Sequence, residues 1–275
     1  MPRYAVALGV EAALENFVLP ERLGFGAVHA PVMFAAHWSQ GEWTRGELRP
    51  YGPIDILPGA RALQYAELVF EGLKAYRVAG SGPNLFRPRE NWLRLHRSAQ
   101  RLAMPPVPEA LFLEGIDAVA GACERIIPRE SGRALYLRPF LFGTEAGYLL
   151  RNSSTFSFMV IANPVEIYAS GPIRVAIERD DVRAVVERRM ALDELLAQTD
   201  SGECSEVFAC GTAAIVSPIG ILADREPRQY VPRRVDAVAA HLREALLAIQ
   251  ERRAPDPFGW TRDVAIPATG FHHGS

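Results

Sequence analysis

Lysine is almost absent from this sequence. Lys74 is the only one in 275 residues, while arginine occurs 29 times. We attribute this imbalance to codon usage rather than to function, since the net charge is only −2 and the pI is near 6.3. A near-neutral chain of this kind carries no electrostatic signature of nucleic-acid or anionic-membrane binding. The scarcity matters for chemistry, because any reaction that needs a lysine amine has one candidate here.

Cysteine, metal-ligand patterns and long apolar runs are also scarce. The cysteines, Cys123, Cys204 and Cys210, are odd in number and unpatterned, which disfavours a disulfide framework or a zinc site. Only His272 and His273, in the terminal tail, stand close enough to suggest paired ligands, so we predict no metal site. No apolar run approaches the roughly 18 residues that span a bilayer, and no signal peptide is suggested. We therefore expect a cytoplasmic globular protein.

The sequence contains enough apolar residues, 49%, to build a substantial core in one large domain or two smaller ones. Apolar periodicity near 3.6 predicts helices, and short runs bounded by Gly or Pro predict strands. The predicted helices are 88–104, 109–127, 192–198 and 235–252. The predicted strands include 68–77, 84–87, 134–142, 155–162, 172–177 and 206–209.

One stretch, residues 68–77, combines a strand pattern with unusual chemistry. Alternation along the strand places Phe70, Gly72, Lys74 and Tyr76 on one face. An aromatic ring, a gap, an amine and a phenol on one face predict the wall of a polar pocket. The alternative is an edge strand whose polar face lies in water, and the stretch alone does not separate the two.

Other segments offer further candidates. Tyr136 and Arg138 alternate onto one face of a predicted strand, and an inward arginine suits a carboxylate held by two hydrogen bonds; the alternative is an arginine on an exposed face. A turn containing Thr212 and Ala213 can present N–H groups and a hydroxyl to an anion, although the motif is weak. Arg94 has the reach for a phosphate, but a solvated arginine is the default for its helix.

Several segments together resemble the branched-chain amino acid aminotransferases, which are pyridoxal phosphate enzymes of fold-type IV. The most specific is residues 63–77, with the sequence Leu-Gln-Tyr-Ala-Glu-Leu-Val-Phe-Glu-Gly-Leu-Lys-Ala-Tyr-Arg. The resemblance covers most of the chain and continues in residues 85–88, 91–94, 97–98, 101–105, 135–140, 143–145, 158–160, 206–220, 248–250 and 256–260.

The resemblance implies a mixed α+β and α/β fold of fold-type IV aminotransferase type. It comprises an intact small N-terminal domain, residues 1–165, and a truncated, barrel-like C-terminal domain, residues 166–275. It implies a homodimer with sites at the domain interface. The residues that match family positions are Arg94 for the cofactor phosphate; Tyr65, Phe70, Tyr136 and Arg138 for the substrate pocket; and Thr212 and Ala213 for the turn over the phosphate and the substrate carboxylate. Gly72 belongs to the same pocket wall.

The sequence departs from the family pattern at one place. In the family, an Arg-Ala pair is followed by a glycine-rich segment with the Schiff-base lysine, then a tyrosine, a carboxylate for the pyridine nitrogen and a second phosphate turn. Here Arg183-Ala184 runs directly into Val185, with no foreign linker residues, which favours a natural loss. The resemblance assigns Lys74 to the pocket wall and not to the Schiff-base position. We therefore predict that ordinary branched-chain transamination is absent or very weak.

Three functions remain open from the sequence. The first is a repurposed enzyme that needs no pyridoxal phosphate and acts on a small carboxylate-bearing molecule, with Lys74, Tyr65 or Tyr136 as acid or base. The second is a non-catalytic ligand-binding module or partner subunit. The third is a residual transaminase that binds pyridoxal phosphate without its usual lysine, with Lys74 or a lysine of a partner standing in.

Overall fold

A computed structural model describes residues 4–78, 81–166, 173–176, 191–212, 214–223, 229–232 and 237–266. The chain divides into two compact units: unit 1 comprises Met1–Glu166 with Ile249–Ser275, and unit 2 comprises Ile167–Ala248. The domain bounds predicted from the sequence, 1–165 and 166–275, remain a prediction. No helix among the described residues is long and apolar enough to cross a membrane.

Along the described chain, runs of three strands are mostly separated by one or two helices. The strands are β1 (Ala5–Val6), β2 (Val32–Ser39), β3 (Glu42–Trp43), β4 (Glu47–Pro50), β5 (Leu68–Phe70), β6 (Leu73–Tyr76), β7 (Asn84–Phe86), β8 (Ala134–Gly143), β9 (Phe156–Val165), β10 (Ile173–Ala176), β11 (Phe208–Gly211), β12 (Ile215–Ala223), β13 (Gln229–Tyr230) and β14 (Thr261–Asp263). The α-helices are α1 (Val10–Glu15), α2 (Arg61–Tyr65), α3 (Pro88–Arg101), α4 (Glu109–Ala122), α5 (Leu192–Ser201) and α6 (Ala237–Gln250), with a 3₁₀ turn at Glu124–Ile126. The helix predicted over 109–127 therefore ends early, at Ala122, before this turn.

Unit 1 is built around a ten-stranded sheet. Its main path has the order β1-β4-β2-β9-β8-β6-β7-β14; β3 pairs with β2, and β5 pairs with β8. All these pairs are antiparallel except β1 with β4. The long ladder between β8 and β9 runs from Ala134 opposite Val165 to Gly143 opposite Phe156. β8 is thus the central strand that positions the residues discussed below.

The strand predicted over 68–77 is divided into β5 and β6, although both pair with β8 in one continuous register. The division falls at Glu71 and Gly72, opposite Pro139 and its neighbour. The Glu71 N–H donates to the Pro139 carbonyl at 2.8 Å. Proline has no N–H to return, so the ladder lacks the second bond of this pair. A proline in the partner strand therefore explains the interruption.

The two faces of the sheet differ in what covers them. One face packs on α3 and α4 and forms the main core, which includes Phe34, Ala36, Leu73, Ala75, Leu135, Leu137, Phe158 and Val160 from the strands and Leu95, Ala99, Phe112, Ile116 and Val119 from the helices. Since Leu73 and Ala75 lie in this core, strand alternation directs Lys74 and Tyr76 to the opposite face, as the sequence predicts. That face has a smaller apolar cluster of Met33, Ala35, Phe142 and Met159.

In unit 2 the described strands form a four-stranded sheet and no closed barrel. β12 pairs in parallel with β10 and antiparallel with β11 and β13. The Glu206 carboxylate accepts hydrogen bonds from the N–H groups of Val238 and Ala239, at 2.8 and 2.7 Å, in the first turn of α6. A carboxylate at a helix N-terminus satisfies free N–H groups and complements the helix dipole.

Candidate functional site

Three polar side chains form a row across the sheet face that lies away from α3 and α4. Lys74 on β6 is directly opposite Tyr136 on β8, and Tyr136 is directly opposite Asn163 on β9. Residues directly opposite one another project to the same face. All three are buried, and the Asn163 amide donates to the Val28 carbonyl at 2.7 Å. Sequence reasoning missed Asn163, because the predicted strand ended at residue 162 and only register with Tyr136 places Asn163 in the row.

Arg138 lies beside this row, and its guanidinium is close to two aromatic rings. Its guanidinium carbon lies 4.3 Å from the centre of the Phe70 ring and 5.4 Å from that of Tyr136. Its Nη2 donates to the Tyr136 hydroxyl at 3.0 Å. Among the described residues no carboxylate pairs with this half-buried arginine, and its buried Nε has no hydrogen-bond partner. The arrangement leaves a preoriented cation available to an anion.

The Tyr136 hydroxyl occupies space that only a glycine at position 72 leaves open. A Cβ built on Gly72 would lie 2.1 Å from the Tyr136 Oη and 2.8 Å from its Cζ. Because the hydroxyl oxygen already accepts from Arg138, its own proton points elsewhere and is available to an acceptor. Gly72 therefore serves the predicted wall as a gap that admits the phenol.

Arg94 is engaged by a carboxylate that the sequence did not single out. Its Nε donates to Glu71 Oε1 at 2.8 Å and its Nη2 donates to Glu71 Oε2 at 2.6 Å. The Asn91 amide donates to the same Oε2 and to the Gly72 carbonyl, both at 3.0 Å. The hydrogen bonds and charge of Glu71 raise the pKa of Arg94. Glu71 is almost fully buried, whereas the Arg94 side chain is about half exposed (51%).

The remaining predicted residues lie in other surroundings. Tyr65, at the end of α2, is half exposed and donates its hydroxyl to the Tyr148 carbonyl at 2.9 Å. It lines a shallow cavity of about 320 Å³ with Arg61 and Glu67. Thr212 belongs to unit 2, in the turn between β11 and β12. Ala213 lies outside the described residues. Of the predicted set, the sheet face gathers Phe70, Gly72, Lys74, Tyr136 and Arg138.

Unit 1 is a large sheet with helices on one face, and unit 2 contains a smaller sheet and further helices, so the chain is a mixed α/β protein. No protein-family model matches the chain. The chain is 28% identical to a probable branched-chain-amino-acid aminotransferase of Streptomyces coelicolor, over 88% of this chain and 92% of the relative. It is 27% identical to branched-chain-amino-acid transaminase 1 of Bacillus subtilis, over 89% and 95%. These alignments run over 335 and 338 positions, more than the chain's 275 residues, so the chain is shorter than its relatives.

Solved structures give the same result for the fold. The branched-chain aminotransferase of Thermoproteus uzoniensis, determined with norvaline, matches with a TM-score of 0.60 and 17% identity, over 83% of this chain and 99% of that one. The Escherichia coli branched-chain aminotransferase matches with a TM-score of 0.53 and 18% identity, over 84% and 99%. The relatives and structural neighbours are thus branched-chain aminotransferases, and the fold is that of fold-type IV. The resemblance predicted from the sequence is confirmed.

A third structural neighbour, another branched-chain amino acid aminotransferase, was solved with N-(5'-phosphopyridoxyl)-L-glutamate (TM-score 0.54, 20% identity, 83% and 98% coverage). Pyridoxal phosphate bound as a lysine imine needs a lysine at its aldehyde carbon and a cation at its phosphate. In unit 1 the matching arginine, Arg94, lies on the α3 side of the strand with Glu71, while Lys74 leaves the strand on the opposite face. Within the described residues of unit 1, Arg94 and Lys74 therefore do not form the phosphate and aldehyde ends of one pyridoxal phosphate site.

Proposed function

We propose that this branched-chain-aminotransferase-like protein binds a small carboxylate-bearing molecule at Arg138 and acts on it without a lysine-bound pyridoxal phosphate. The observation that carries the proposal is the guanidinium of Arg138, which has no carboxylate partner among the described residues and lies over the Phe70 ring. A half-buried cation without a counter-ion attracts an anion strongly, because the surroundings screen its charge less than water does.

The geometry supports one orientation of the ligand. The carboxylate accepts from the guanidinium, and the Tyr136 hydroxyl, which already accepts from Arg138, donates its proton to a neighbouring oxygen of the ligand. Tyr136 is then the acid closest to the bound group. Lys74, the lysine of this chain, is directly opposite Tyr136 in the ladder and projects to the same face of the sheet. The Phe70 ring, more than half exposed, supplies an apolar cover.

The second candidate is branched-chain transamination, and the names of the aligned relatives favour it. In that case the cofactor must be held by residues outside the set described above, or Lys74 must turn toward it. A homodimer is part of either proposal, because a partner supplies the simplest source of residues that this shorter chain lacks. Cytoplasmic location likewise remains a prediction.

The test separates the two candidates. Purified protein is incubated with pyridoxal phosphate, treated with borohydride to reduce any imine, and digested. The mass of the peptide that contains Lys74 is then measured by mass spectrometry. We expect no reduced adduct on Lys74 and no consumption of leucine with 2-oxoglutarate. In a parallel titration, 2-oxo-4-methylpentanoate should bind, and Arg138→Gln should weaken binding roughly tenfold or more.

Arg101→Gln is the matched control, because Arg101 is an exposed arginine at the end of α3. An adduct on Lys74 together with leucine turnover would overturn the proposal in favour of transamination. Equal affinity of the Arg138→Gln and Arg101→Gln proteins for the oxo acid would show that Arg138 does not bind the carboxylate.

A further inference from the structure

A second cleft in unit 1 shares no lining residue with the site at Arg138. It has a volume of about 750 Å³ and lies between the segment that follows β6, the segment before β8 and the residues after α6. Small-molecule sites typically have volumes of about 300–1,000 Å³. The cleft therefore has room for a ligand larger than a single inorganic ion.

Positive charge exceeds negative charge around this cleft. Its charged lining residues are Arg77, Arg129, Arg133, Arg253, Glu130 and Glu251. Each glutamate has an arginine partner: Arg253 Nε lies 2.8 Å from Glu251, and Arg133 Nη1 lies 3.6 Å from Glu130. Glu251 is further fixed by the Gly132 N–H at 2.7 Å. Two arginines, Arg77 and Arg129, remain without a carboxylate of their own in the lining.

Arg77 is held in place by groups that do not neutralise it. Its Nε donates to the Ile127 carbonyl at 2.9 Å, and its Nη2 donates to those of Glu124 and Arg125 at 2.6 and 3.0 Å. Burial and, next in size, repulsion from Arg129 lower the pKa of Arg77. Attraction to the Glu124 side chain is smaller than that repulsion. The guanidinium is thus oriented, partly desolvated and next to a like charge.

Arg129 completes the pair from the outer side. It is exposed, and among the described residues it forms no hydrogen bond and no ion pair. Two arginines that repel each other across a cleft are both stabilised by an anion placed between them. The Ser81 hydroxyl in the lining can add a hydrogen bond to such an anion, whereas the Ser131 hydroxyl already donates to Glu251.

We propose that this cleft binds the phosphate group of a small phosphorylated molecule, with Arg77 and Arg129 as the main contacts. The excess of two positive charges in the lining matches a phosphate monoester, which carries about −1.5 to −2 charges at pH 7. The planar fork of arginine suits the phosphate oxygens. The volume that a phosphate leaves unfilled accommodates the organic part of the ligand. This site is independent of the proposed function at Arg138.

The bland alternative is that Arg77 only caps the carbonyl groups at the end of the helical segment before residue 128. That role explains its hydrogen bonds, but it requires neither Arg129 nor the surplus charge of the lining. Arg129 is therefore the residue whose replacement separates the two explanations. Because Arg129 is exposed, its replacement should not disturb folding, and circular dichroism of the variant checks this.

The experiment titrates the full-length protein with ribose 5-phosphate and with inorganic phosphate by calorimetry, at constant ionic strength in chloride. We expect both probes to bind, and Arg129→Gln to weaken binding roughly tenfold or more, while Arg101→Gln leaves it unchanged. No binding to the native protein, or equal affinity of the Arg129→Gln and Arg101→Gln proteins for both probes, would each overturn the proposal.

Discussion

Replacing Gly72 by alanine tests the wall of the Arg138 site with a single methyl group. The new Cβ would lie 2.1 Å from the Tyr136 hydroxyl oxygen, where ordinary contacts begin near 3.4 Å. The phenol must therefore move by more than about 1 Å, because a packed interior cannot absorb such an overlap in place. Gly72 has no positive φ, so the backbone itself accepts alanine.

Two costs follow from that movement. Overpacking of this kind destabilises a protein by about 1–3 kcal/mol. The displaced hydroxyl also loses its 3.0 Å hydrogen bond from Arg138, and a bond to a charged donor contributes about 1.5–3 kcal/mol before solvent screening. Since Arg138 is half-buried, about half of the hydrogen-bond contribution is screened, and we expect a total loss of about 2–4 kcal/mol in unfolding free energy. Affinity for 2-oxo-4-methylpentanoate should fall by at least tenfold.

The assay is urea unfolding followed by tryptophan fluorescence, with calorimetric titration of the oxo acid. Gly52→Ala is the matched control, because a Cβ there meets no atom within 4 Å and Gly52 also lacks a positive φ. That control should be neutral or slightly stabilising, by about 0.4–1 kcal/mol. If Gly72→Ala matches Gly52→Ala in both measurements, Tyr136 does not occupy the position described and the site geometry is refuted.

Three further predictions concern other polar contacts. In a double-mutant cycle of Glu71→Ala and Arg94→Ala, the two changes in unfolding free energy should be coupled by about 1–2 kcal/mol, a figure that already allows for the exposure of Arg94. A coupling near zero would show that the Glu71–Arg94 hydrogen bonds do not stabilise the fold. Hydrogen bonds from Ser154 lower the pKa of Glu145 to about 2, so Glu145 stabilises the fold above pH 4.5 and loses this effect as pH falls toward 2. The stability difference between native protein and Glu145→Gln should therefore shrink from pH 4.5 to 2.5; a constant difference contradicts it. Arg61→Met should change stability by less than about 1 kcal/mol, because removal of the buried Nε and Nη2, which lack hydrogen-bond partners, offsets loss of the Nη1 bond to the Leu149 carbonyl and of the attraction to Glu67; a loss above about 1 kcal/mol would refute this.

The sequence predicts this fold well where the signal is local. Periodicity located α3 and α4, and alternation assigned the correct face to Lys74 and Tyr76. Both signals depend only on neighbouring residues along the chain. The division of the 68–77 stretch was not predicted, because its cause is Pro139, far away in sequence on the partner strand.

The partners of site residues were harder to predict for the same reason. Arg94 matched a phosphate-binding position of the family, but no sequence pattern showed that Glu71 holds it through two hydrogen bonds. Asn163 entered the polar row through register with Tyr136, and strand register is fixed by tertiary pairing rather than by local sequence. Roles that depend on a pair of distant residues require the fold.

The short segment from Phe70 to Gly72 shows why one strand can serve two purposes at once. Phe70 turns to the face of Arg138, Glu71 turns to α3 and binds Arg94, and Gly72 again faces the site, where its missing side chain admits the phenol of Tyr136. Successive residues of a strand face opposite ways, so a change at one position acts on ligand binding while its neighbour acts on the packing of the helix. The same alternation places Glu71, which binds Arg94, and Lys74 on opposite faces of the strand, so Arg94 and Lys74 are not neighbours in one site of this unit.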